Sequence, residues 1–257
     1  MFYNKRIIGS ITLKKGRAVQ SFRYKNYLPL GSAKCLAENL DRWAVDEILI
    51  LDIDRSENNL PPNFDLIKSV SSIPIATPLI YAGGIKNVSH ASNVIASGAE
   101  RIVLDSLLIN NPELLKDISE AVGVQSIISS VPVVIENDRL HHYDYLKNKS
   151  YNFTEKFLEN INKYTSELLL IDVLNQGYKG KFNMKILKLL DIFNLPIIFY
   201  GGLGISPEVE EILKLDCVNA VAFGNSLNYF ELPIKKLRDL INLPSIRKPE
   251  LLSEEFI

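Results

Sequence analysis

Short apolar runs rich in Ile, Val and Leu alternate along this chain with longer segments whose apolar residues recur at helical spacing. Strands of a parallel sheet are covered on both faces and are therefore continuously apolar, whereas a crossover helix has one apolar face. The alternation predicts eight strand–helix units. The predicted strands are Arg6–Leu13, Glu47–Asp52, Pro78–Ala82, Arg101–Leu104, Gln125–Ser130, Glu167–Asp172, Pro196–Tyr200 and Asn219–Phe223.

The segments between these strands predict one helix each. Pro112 and Pro207 stand where a first helical turn is expected, and proline is tolerated there because the amide it lacks would have no partner within the helix. The predicted helices are Ser32–Trp43, Pro62–Ser71, Val88–Ser97, Pro112–Ala121, Phe153–Tyr164, Met184–Phe193, Pro207–Lys214 and Leu232–Ile241.

The chain also contains an internal repeat. ELLLIDVLN, from Glu167, has the form of EILILDIDR, from Glu47, and IIFYGGLG, from Ile197, resembles LIYAGGI, from Leu79. Both offsets are roughly 120 residues, about half the length of a (β/α)8 barrel. The repeat favours a closed TIM barrel with two-fold half-barrel symmetry over an open sheet. A chance likeness between strands that precede glycine turns is the alternative.

We therefore expect one domain over residues 1–257, with half-barrels at about 1–122 and 123–257. One segment departs from the alternation of strands and helices. VPVVIENDRLHHYDYLKNKS has a polar turn between two stretches of alternating residues, which predicts a hairpin inserted at about 133–150 after the fifth strand. Insertions at the top of this fold often shape access to the site.

Composition narrows the class of protein. The net charge of −1 offers no broad basic surface for nucleic acid, and no apolar run is long enough to predict a membrane span. The first ten residues lack the apolar stretch of a secretory signal, so we expect a cytoplasmic protein. Cys35 and Cys217 lie outside any CxxC pair, and His90, His141 and His142 lack ligand spacing. We expect buried thiols, solvated hairpin histidines, no metal and no cofactor.

Glycine turns follow several predicted strands. A bound phosphate needs backbone N–H groups that approach it without a Cβ in the way, and the loops after strands seven and eight of this fold commonly supply them. Tight turns without a ligand are the alternative for each glycine pair. We expect two phosphate-binding sites on opposite sides of the barrel mouth, one at Gly83, Gly84 and Ser106, and the other at Gly177, Gly202, Gly204, Gly224, Asn225 and Ser226.

Four segments carry a family resemblance: RIIGSITLKKGRAV at the first strand, EILILDID at the second, IYAGGI at the third and GGLG late in the chain. With them the sequence resembles the cyclase subunit of imidazole glycerol phosphate synthase over nearly its whole length. The resemblance implies a glutaminase partner that docks on the N-terminal face of the barrel and releases ammonia. It also implies that this ammonia passes through the barrel and attacks a bis-phosphorylated ribulosyl intermediate at the mouth.

The base of the barrel follows the family's pattern. In the family, four charged residues at the starts of strands one, two, four and six form a salt-bridged ring where ammonia enters. The resemblance places Arg6, Glu47, Arg101 and Glu167 at these positions, with Arg101 in place of a lysine. Their charges alternate in sign, as a ring of ion pairs requires. Solvated charges at strand starts are the alternative.

The mouth departs from the family's pattern. The family uses two aspartates as general acid and base, and these positions are Thr12 and Pro132 here. Asp105 replaces an asparagine at the first phosphate site, where an ionised carboxylate would repel phosphate. Asp52 and Asp172 end two symmetric strands and are the remaining candidates for catalytic carboxylates. Hydrogen bonding within their own loops is the alternative role.

The retained entrance charges and the lost aspartates together favour an ammonia-accepting subunit that no longer performs the original cyclisation. Our main hypothesis is a diverged paralogue, similar to barrel subunits thought to supply ammonia for the amidation of surface sugars. It would have a glutaminase partner and a phosphorylated small molecule as ligand. One alternative is an authentic cyclase subunit with relocated acid–base groups. The other is a non-catalytic barrel that binds a phosphorylated ligand or serves as a scaffold.

Overall fold

The computed structural model describes residues 4–228 and 231–247 and contains the following strands in that part of the chain. In chain order they are β1 (Arg6–Lys14), β2 (Arg17–Phe22), β3 (Asn26–Gly31), β4 (Glu47–Asp52), β5 (Leu79–Ala82), β6 (Arg101–Leu104), β7 (Ile127–Glu136), β8 (Arg139–Asp144), β9 (Lys149–Tyr151), β10 (Glu167–Asp172), β11 (Ile197–Tyr200) and β12 (Val218–Phe223).

Eight of these strands confirm the predicted TIM barrel. They pair in parallel around a closed ring in the order β1, β4, β5, β6, β7, β10, β11, β12, and β12 pairs back to β1. Closure removes the unpaired edges that an open sheet would have to cover. The carboxyl ends of all eight strands therefore meet at one end of the barrel, which we call the mouth, and their N-terminal ends meet at the base.

Helices connect successive barrel strands, and polar caps begin several of them. The side chains of Ser32, Asn63, Asn87 and Thr154 each accept a hydrogen bond from the backbone N–H three residues later. Within the described residues, no helix is long and apolar enough to cross a membrane. The helices are α1 (Ala33–Arg42), α2 (Ile53–Glu57), α3 (Phe64–Ser71), α4 (Val88–Ala96), α5 (Ser106–Asn110), α6 (Leu114–Val122), α7 (Glu155–Tyr164), α8 (Glu208–Leu213) and α9 (Pro233–Leu240).

The prediction of an α-helix at Met184–Phe193 is wrong. The segment Met184–Ile192 is a 3₁₀ helix that is interrupted at Leu189, whose φ of −121° is not helical. The tighter 3₁₀ winding is favoured only in short pieces, so one interruption divides this segment into two short turns. Two further 3₁₀ turns lie at Val124–Ser126 and Asn225–Leu227.

Each barrel strand points alternate side chains into the barrel and outward to the helices. On β6, Val103 points inward, whereas Ile102 and Leu104 pack against the outer layer. The inward residues fill the barrel as a packed apolar layer, so the middle of the barrel is a core and not an open pore. This layer consists of Ile8, Leu49, Leu51, Ile80, Val103, Ile128, Leu169, Ile171, Ile198, Tyr200, Ala220 and Ala222.

Two antiparallel additions lie over the mouth. The first is the mouth hairpin, β2 and β3, which reverses direction at Arg23 and Tyr24, both with φ of +53°. The second is the insertion, residues 133–151, in which β8 pairs with the extended end of β7 and β9 pairs with β8. β7 therefore runs six residues beyond the Ser130 end that the sequence predicted, because the insertion supplies its partner.

Three side chains differ from the predicted burial. Cys35 and Cys217 are exposed free thiols, since the former lies on the solvent side of α1 and the latter in the turn before β12. His142 is buried, because the insertion lays it against Phe153 and Phe157 with ring centroids 5.9 and 5.3 Å away. This burial lowers the pKa of the His142 imidazole to about 4.

Candidate active site at the barrel mouth and a charged ring at the base

Arg6, Glu47, Arg101 and Glu167 form a closed ring of ion pairs at the base of the barrel. Arg6 lies 2.5 Å from Glu167 and 3.3 Å from Glu47. Arg101 lies 2.6 Å from Glu167 and 3.5 Å from Glu47. Each cation therefore contacts both carboxylates. The structure brings together the four residues that the resemblance placed at this position, directly below the apolar layer.

Burial and the two arginines act in opposite directions on the carboxyl pKa values of the ring. At Glu47 burial has the larger effect and raises the pKa. At Glu167 burial is outweighed by Arg6 and Arg101 together, and the pKa lies below its usual value. Glu167 has the shorter contacts, which explains the difference between two similar positions. The ring therefore holds its charges by mutual compensation and not by exposure to water.

A cavity of about 740 Å³ opens at the mouth. Its floor is formed by the carboxyl ends of several neighbouring barrel strands, and the mouth hairpin and the insertion form its walls. Aromatic side chains dominate those walls, and carboxyl groups reach in from the floor and the rim. Residues that define it include Tyr24, Tyr27, Tyr143 and Tyr145 on the walls and Asp52, Glu57, Asp105, Ser130 and Asp144 among the polar groups.

The two predicted catalytic carboxylates are not brought into one site. Asp52 lines the cavity, whereas the residues that line it do not include Asp172. Asp172 accepts hydrogen bonds of 2.8 Å from the Asn175 side chain and from the Asn183 amide, so it organises its own loop. Burial raises the pKa of both carboxyls. Their shared catalytic role is therefore unsupported by geometry, and the loop-ordering alternative fits Asp172.

Strand alternation explains why Asp52 faces away from the barrel axis. It lies an odd number of residues after Glu47, which is on the inward side, so it falls on the outward side with the buried Tyr81 ring. Tyr81 donates a hydrogen bond of 3.2 Å to Asp52, and Arg55 approaches within 3.4 Å. Burial raises the pKa of Asp52 to about 6.

Asp105, which the sequence placed beside the first phosphate site but not among the candidate catalytic carboxylates, is a second carboxyl on the cavity floor. It lies an even number of residues after Arg101, so it shares the inward side with Val103 and reaches the cavity floor. The Ser130 hydroxyl lines the same floor and lowers the pKa of Asp105, but by less than burial raises it. Burial, with a smaller contribution from Asp144, raises the pKa of Asp105 to about 7. The spacing from Arg101 in the sequence predicts this inward position.

The family's two aspartate positions carry no titratable group here. Thr12 and Pro132 both fall on the inward side of their strands, as alternation from Ile8 and Ile128 requires. Thr12 is buried, and Pro132 pairs with Ile171 in the barrel ladder. A threonine hydroxyl and a proline ring do not titrate near neutral pH, so neither can replace an aspartate as general acid or base.

The glycines of the first predicted phosphate site line the large cavity together with Ser106. Gly83 has φ of +138°, and a Cβ there would lie 2.4 Å from the Asp52 carbonyl oxygen. In the other half-barrel, Gly201 has the matching contact with the Asp172 carbonyl oxygen at 2.7 Å. These glycines are thus required by tight turns, whatever they bind. Gly84 already donates its N–H to the Ser56 hydroxyl at 3.3 Å.

The second predicted phosphate site is narrow. All of its six predicted residues except Gly204 line a cleft of only about 20 Å³, which is roughly the space of one water. The side-chain amide of Asn225 is already hydrogen-bonded within the protein. Its nitrogen donates to the Ser21 and Gly177 carbonyls at 2.8 and 3.1 Å. Its oxygen accepts from the Ser21 amide at 3.2 Å. The mouth hairpin therefore occupies this side of the mouth.

Tyr24 closes the barrel axis from above. Its backbone N–H donates to the buried Gln176 side chain at 3.2 Å, and the neighbouring Arg23 N–H donates to the Gln176 carbonyl at 3.0 Å. The Tyr24 ring packs on the inward apolar layer, which includes Tyr200. Tyr145, from the insertion, meets it edge to face at 5.0 Å.

Known proteins are similar to this chain over most of its length. The chain matches the family model for histidine biosynthesis proteins over residues 6–232. A Vibrio vulnificus protein provisionally named imidazole glycerol phosphate synthase subunit hisF2 is 31% identical over 229 residues, which are 88% of this chain and 84% of that protein. Imidazole glycerol phosphate synthase subunits HisF of Campylobacter lari and Thermococcus onnurineus are 30% and 26% identical. They cover 85% and 92% of this chain, and 88% and 94% of their own.

Proposed function

Because the chain belongs to the histidine biosynthesis protein family, we propose that it is the ammonia-accepting barrel subunit of a glutamine amidotransferase of the imidazole glycerol phosphate synthase type. The closed ring of Arg6, Glu47, Arg101 and Glu167 carries the proposal. The ring lies on the barrel axis beneath an apolar layer. Uncharged ammonia can enter such a layer at small cost, whereas an ammonium ion would lose its hydration.

A glutaminase subunit is the partner that fits this arrangement. It would dock on the N-terminal face of the barrel, where the ring lies, and would deliver ammonia beside Arg6. The neighbouring Arg101 also bonds to the Ser166 hydroxyl at 2.9 Å, so movement of one arginine disturbs contacts at the surface of that face. The relatives support this assignment, because they are named as subunits of that synthase.

For the reaction at the mouth, the cyclisation to imidazole glycerol phosphate is the first candidate. The names and coverage of the relatives favour it. In this case the acid–base groups must have relocated from positions 12 and 132, and Asp105 is the inward carboxyl on the cavity floor that is best placed to replace one of them.

A second candidate is transfer of ammonia to a different acceptor, such as a surface sugar that is amidated by a separate enzyme. Two observations favour it. Thr12 and Pro132 remove both family aspartates, and the mouth hairpin fills the side of the mouth where a second phosphate of the substrate would bind. A phosphorylated small molecule could still bind beside Gly83 and Ser106.

The test uses the purified barrel with a glutaminase from the same organism. We expect the barrel to stimulate glutamine hydrolysis, and Arg6→Ala to uncouple glutamine-dependent from ammonium-dependent product formation. Lys156→Ala, which breaks an exposed ion pair with Glu113, serves as the control and should leave coupling unchanged. A barrel that binds no glutaminase would refute the proposal and favour a scaffold.

The two candidate reactions are separated with ammonium salt and the ribulosyl bis-phosphate substrate. Turnover at an ordinary enzymatic rate, on the order of 1 per second or faster, would establish the cyclisation. Stimulated glutaminase activity without turnover would favour the second acceptor.

A further inference from the structure

We propose that Asp105 and the tyrosine hydroxyls around it form a binding site for ammonium at the mouth of the barrel. The inference rests on the proposed function for the source of the nitrogen, but its test requires no glutaminase and no acceptor. It assigns a ligand to a carboxyl group that the family's pattern does not contain.

The position of Asp105 is the first step. Below it on the inward side of β6 lies Val103, and below Ser130 on β7 lies Ile128, both in the apolar layer. Asp105 and Ser130 are therefore among the first polar groups that a molecule meets on leaving this layer. Asp105 supplies a carboxylate acceptor there, beside the Ser130 hydroxyl on the same cavity floor.

Phenolic hydroxyls complete the set of acceptors. Tyr24 packs on the apolar layer that contains Tyr200, and Tyr145 lies beside Tyr24 with ring centroids 5.0 Å apart. The Tyr145 hydroxyl is buried and has no hydrogen-bond partner among the described residues. A buried hydroxyl without a partner is unfavourable, so a ligand with N–H donors would be stabilised there. The ring faces add attraction for a cation.

A second carboxyl, that of Asp144, adds negative charge near Asp105, and the cations that line the cavity are Arg23 and Lys25 on the mouth hairpin. The carboxyl of Asp144, which is 5% exposed, acts on Asp105 as a like charge. Its own partners are the amides of Leu146 and Lys147, and the Lys147 ammonium lies 3.3 Å from it at the rim. The groups that interact with Asp105 are Ser130 on β7, Asp144 and Tyr145 in the insertion, and Tyr24 in the mouth hairpin. These groups are neutral or acidic.

Protonation of Asp105 should control binding. Burial raises its pKa to about 7, so the carboxyl is mostly neutral at pH 6 and mostly ionised at pH 8. An ionised carboxylate attracts ammonium, whereas the carboxylic acid does not. We therefore expect the occupancy of the site by ammonium to increase as the pH rises through neutrality. The supply of ammonium ion does not limit binding in this range, because it falls only near pH 9.

The probe is thallous ion, which has nearly the radius of ammonium and scatters X-rays anomalously. Crystals of the full chain are soaked in thallous acetate at pH 8 and at pH 6. We expect an anomalous peak among Asp105, Tyr145 and Tyr24 at pH 8 and a weaker one at pH 6. Asp105→Asn should abolish it, and Glu57→Gln, which removes a carboxyl from the rim of the same cavity, should retain it.

A solution titration with ammonium chloride against sodium chloride, followed by NMR, checks the crystal result. Asp105→Asn should weaken ammonium binding at least about tenfold, and Tyr145→Phe should weaken it about threefold, as expected for a charged and a neutral partner. Unfolding temperatures of the variants verify that they are folded. No peak at pH 8, or a peak that survives Asp105→Asn, would overturn the inference. Glutaminase stimulation does not enter these measurements, so either proposal can fail alone.

Discussion

Replacement of Arg6 by alanine tests the charged ring directly. Arg6→Ala leaves Glu47 with Arg101 at 3.5 Å, and Glu167 with Arg101 at 2.6 Å and Asn219 at 3.3 Å. Both carboxylate side chains are less than a tenth exposed. Removing one partner of a buried ion pair typically costs about 3–5 kcal/mol. Because Arg101 keeps partial compensation, we expect a loss of about 3 kcal/mol in the free energy of unfolding at pH 7.

The pH dependence of that loss follows from the pKa of Glu47. Burial already raises this pKa in the native protein, and loss of Arg6 removes the largest opposing effect. A carboxyl whose folded pKa lies above its unfolded value binds protons more readily in the folded state, so stability increases as pH falls through the folded pKa. The deficit of Arg6→Ala should therefore be smaller at pH 5 than at pH 7.

Urea unfolding followed by circular dichroism at both pH values measures this difference. Lys156→Ala is the matched control, since it removes a cation from an exposed pair and should leave the unfolding midpoint unchanged. A loss below about 1 kcal/mol at pH 7, the range of exposed pairs, would refute the assignment of a buried ring. A deficit that grows toward pH 5 would refute the account of Glu47.

Three further predictions follow from buried or strained positions. Because its pKa is lowered to about 4, His142 is neutral in the folded protein, and the free energy of unfolding should fall by about 3 kcal/mol between pH 7 and 4. His142→Phe should remove this acid sensitivity when unfolding by urea is measured at several pH values. An unchanged dependence of stability on pH would contradict the prediction. Gly83→Ala should lower the free energy of unfolding by at least about 2 kcal/mol. Gly16→Ala should lower it by less, because its Cβ would meet no atom within 4 Å. The calorimetric unfolding midpoints of the two variants compare these effects. Asn225→Ala should speed hydrogen exchange at the Ser21 amide about tenfold, while the Lys15 amide, bonded to Asp54, should not change.

The barrel could be predicted from sequence because most of its strands are apolar runs between glycine or polar turns, although β1 and β7 contain small polar residues. EILILD and ELLLID coincide with β4 and β10 to the residue. The ring could also be placed, since its members begin strands whose register the apolar runs fix. The 3₁₀ segment at Met184–Ile192 could not, because its composition is that of an ordinary amphipathic helix and its interruption at Leu189 is a matter of packing.

The candidate site was harder to predict for two different reasons. Asp52 and Asp172 were predicted from their symmetric strand ends, and alternation from Glu47 and Glu167 puts both on the outward side, although Asp52 still lines the cavity. Their catalytic role stays a prediction. The closure of the second phosphate site could not have been found in this way. It depends on Ser21 meeting Asn225, which is 204 residues away in the chain, and no local pattern encodes such a contact.

The ring and the mouth hairpin differ in what explains them energetically. A hairpin that bonds to Gln176 and Asn225 satisfies its own backbone and is accounted for by stability. Stability does not account for a ring of four buried charges, because apolar residues of similar volume at such sites are often equally or more stabilising. Retention of Arg6, Glu47, Arg101 and Glu167 beneath an apolar layer is therefore better explained by a task that needs an openable polar barrier. The proposed passage of ammonia from a partner is such a task, and it does not require carboxylates at positions 12 and 132.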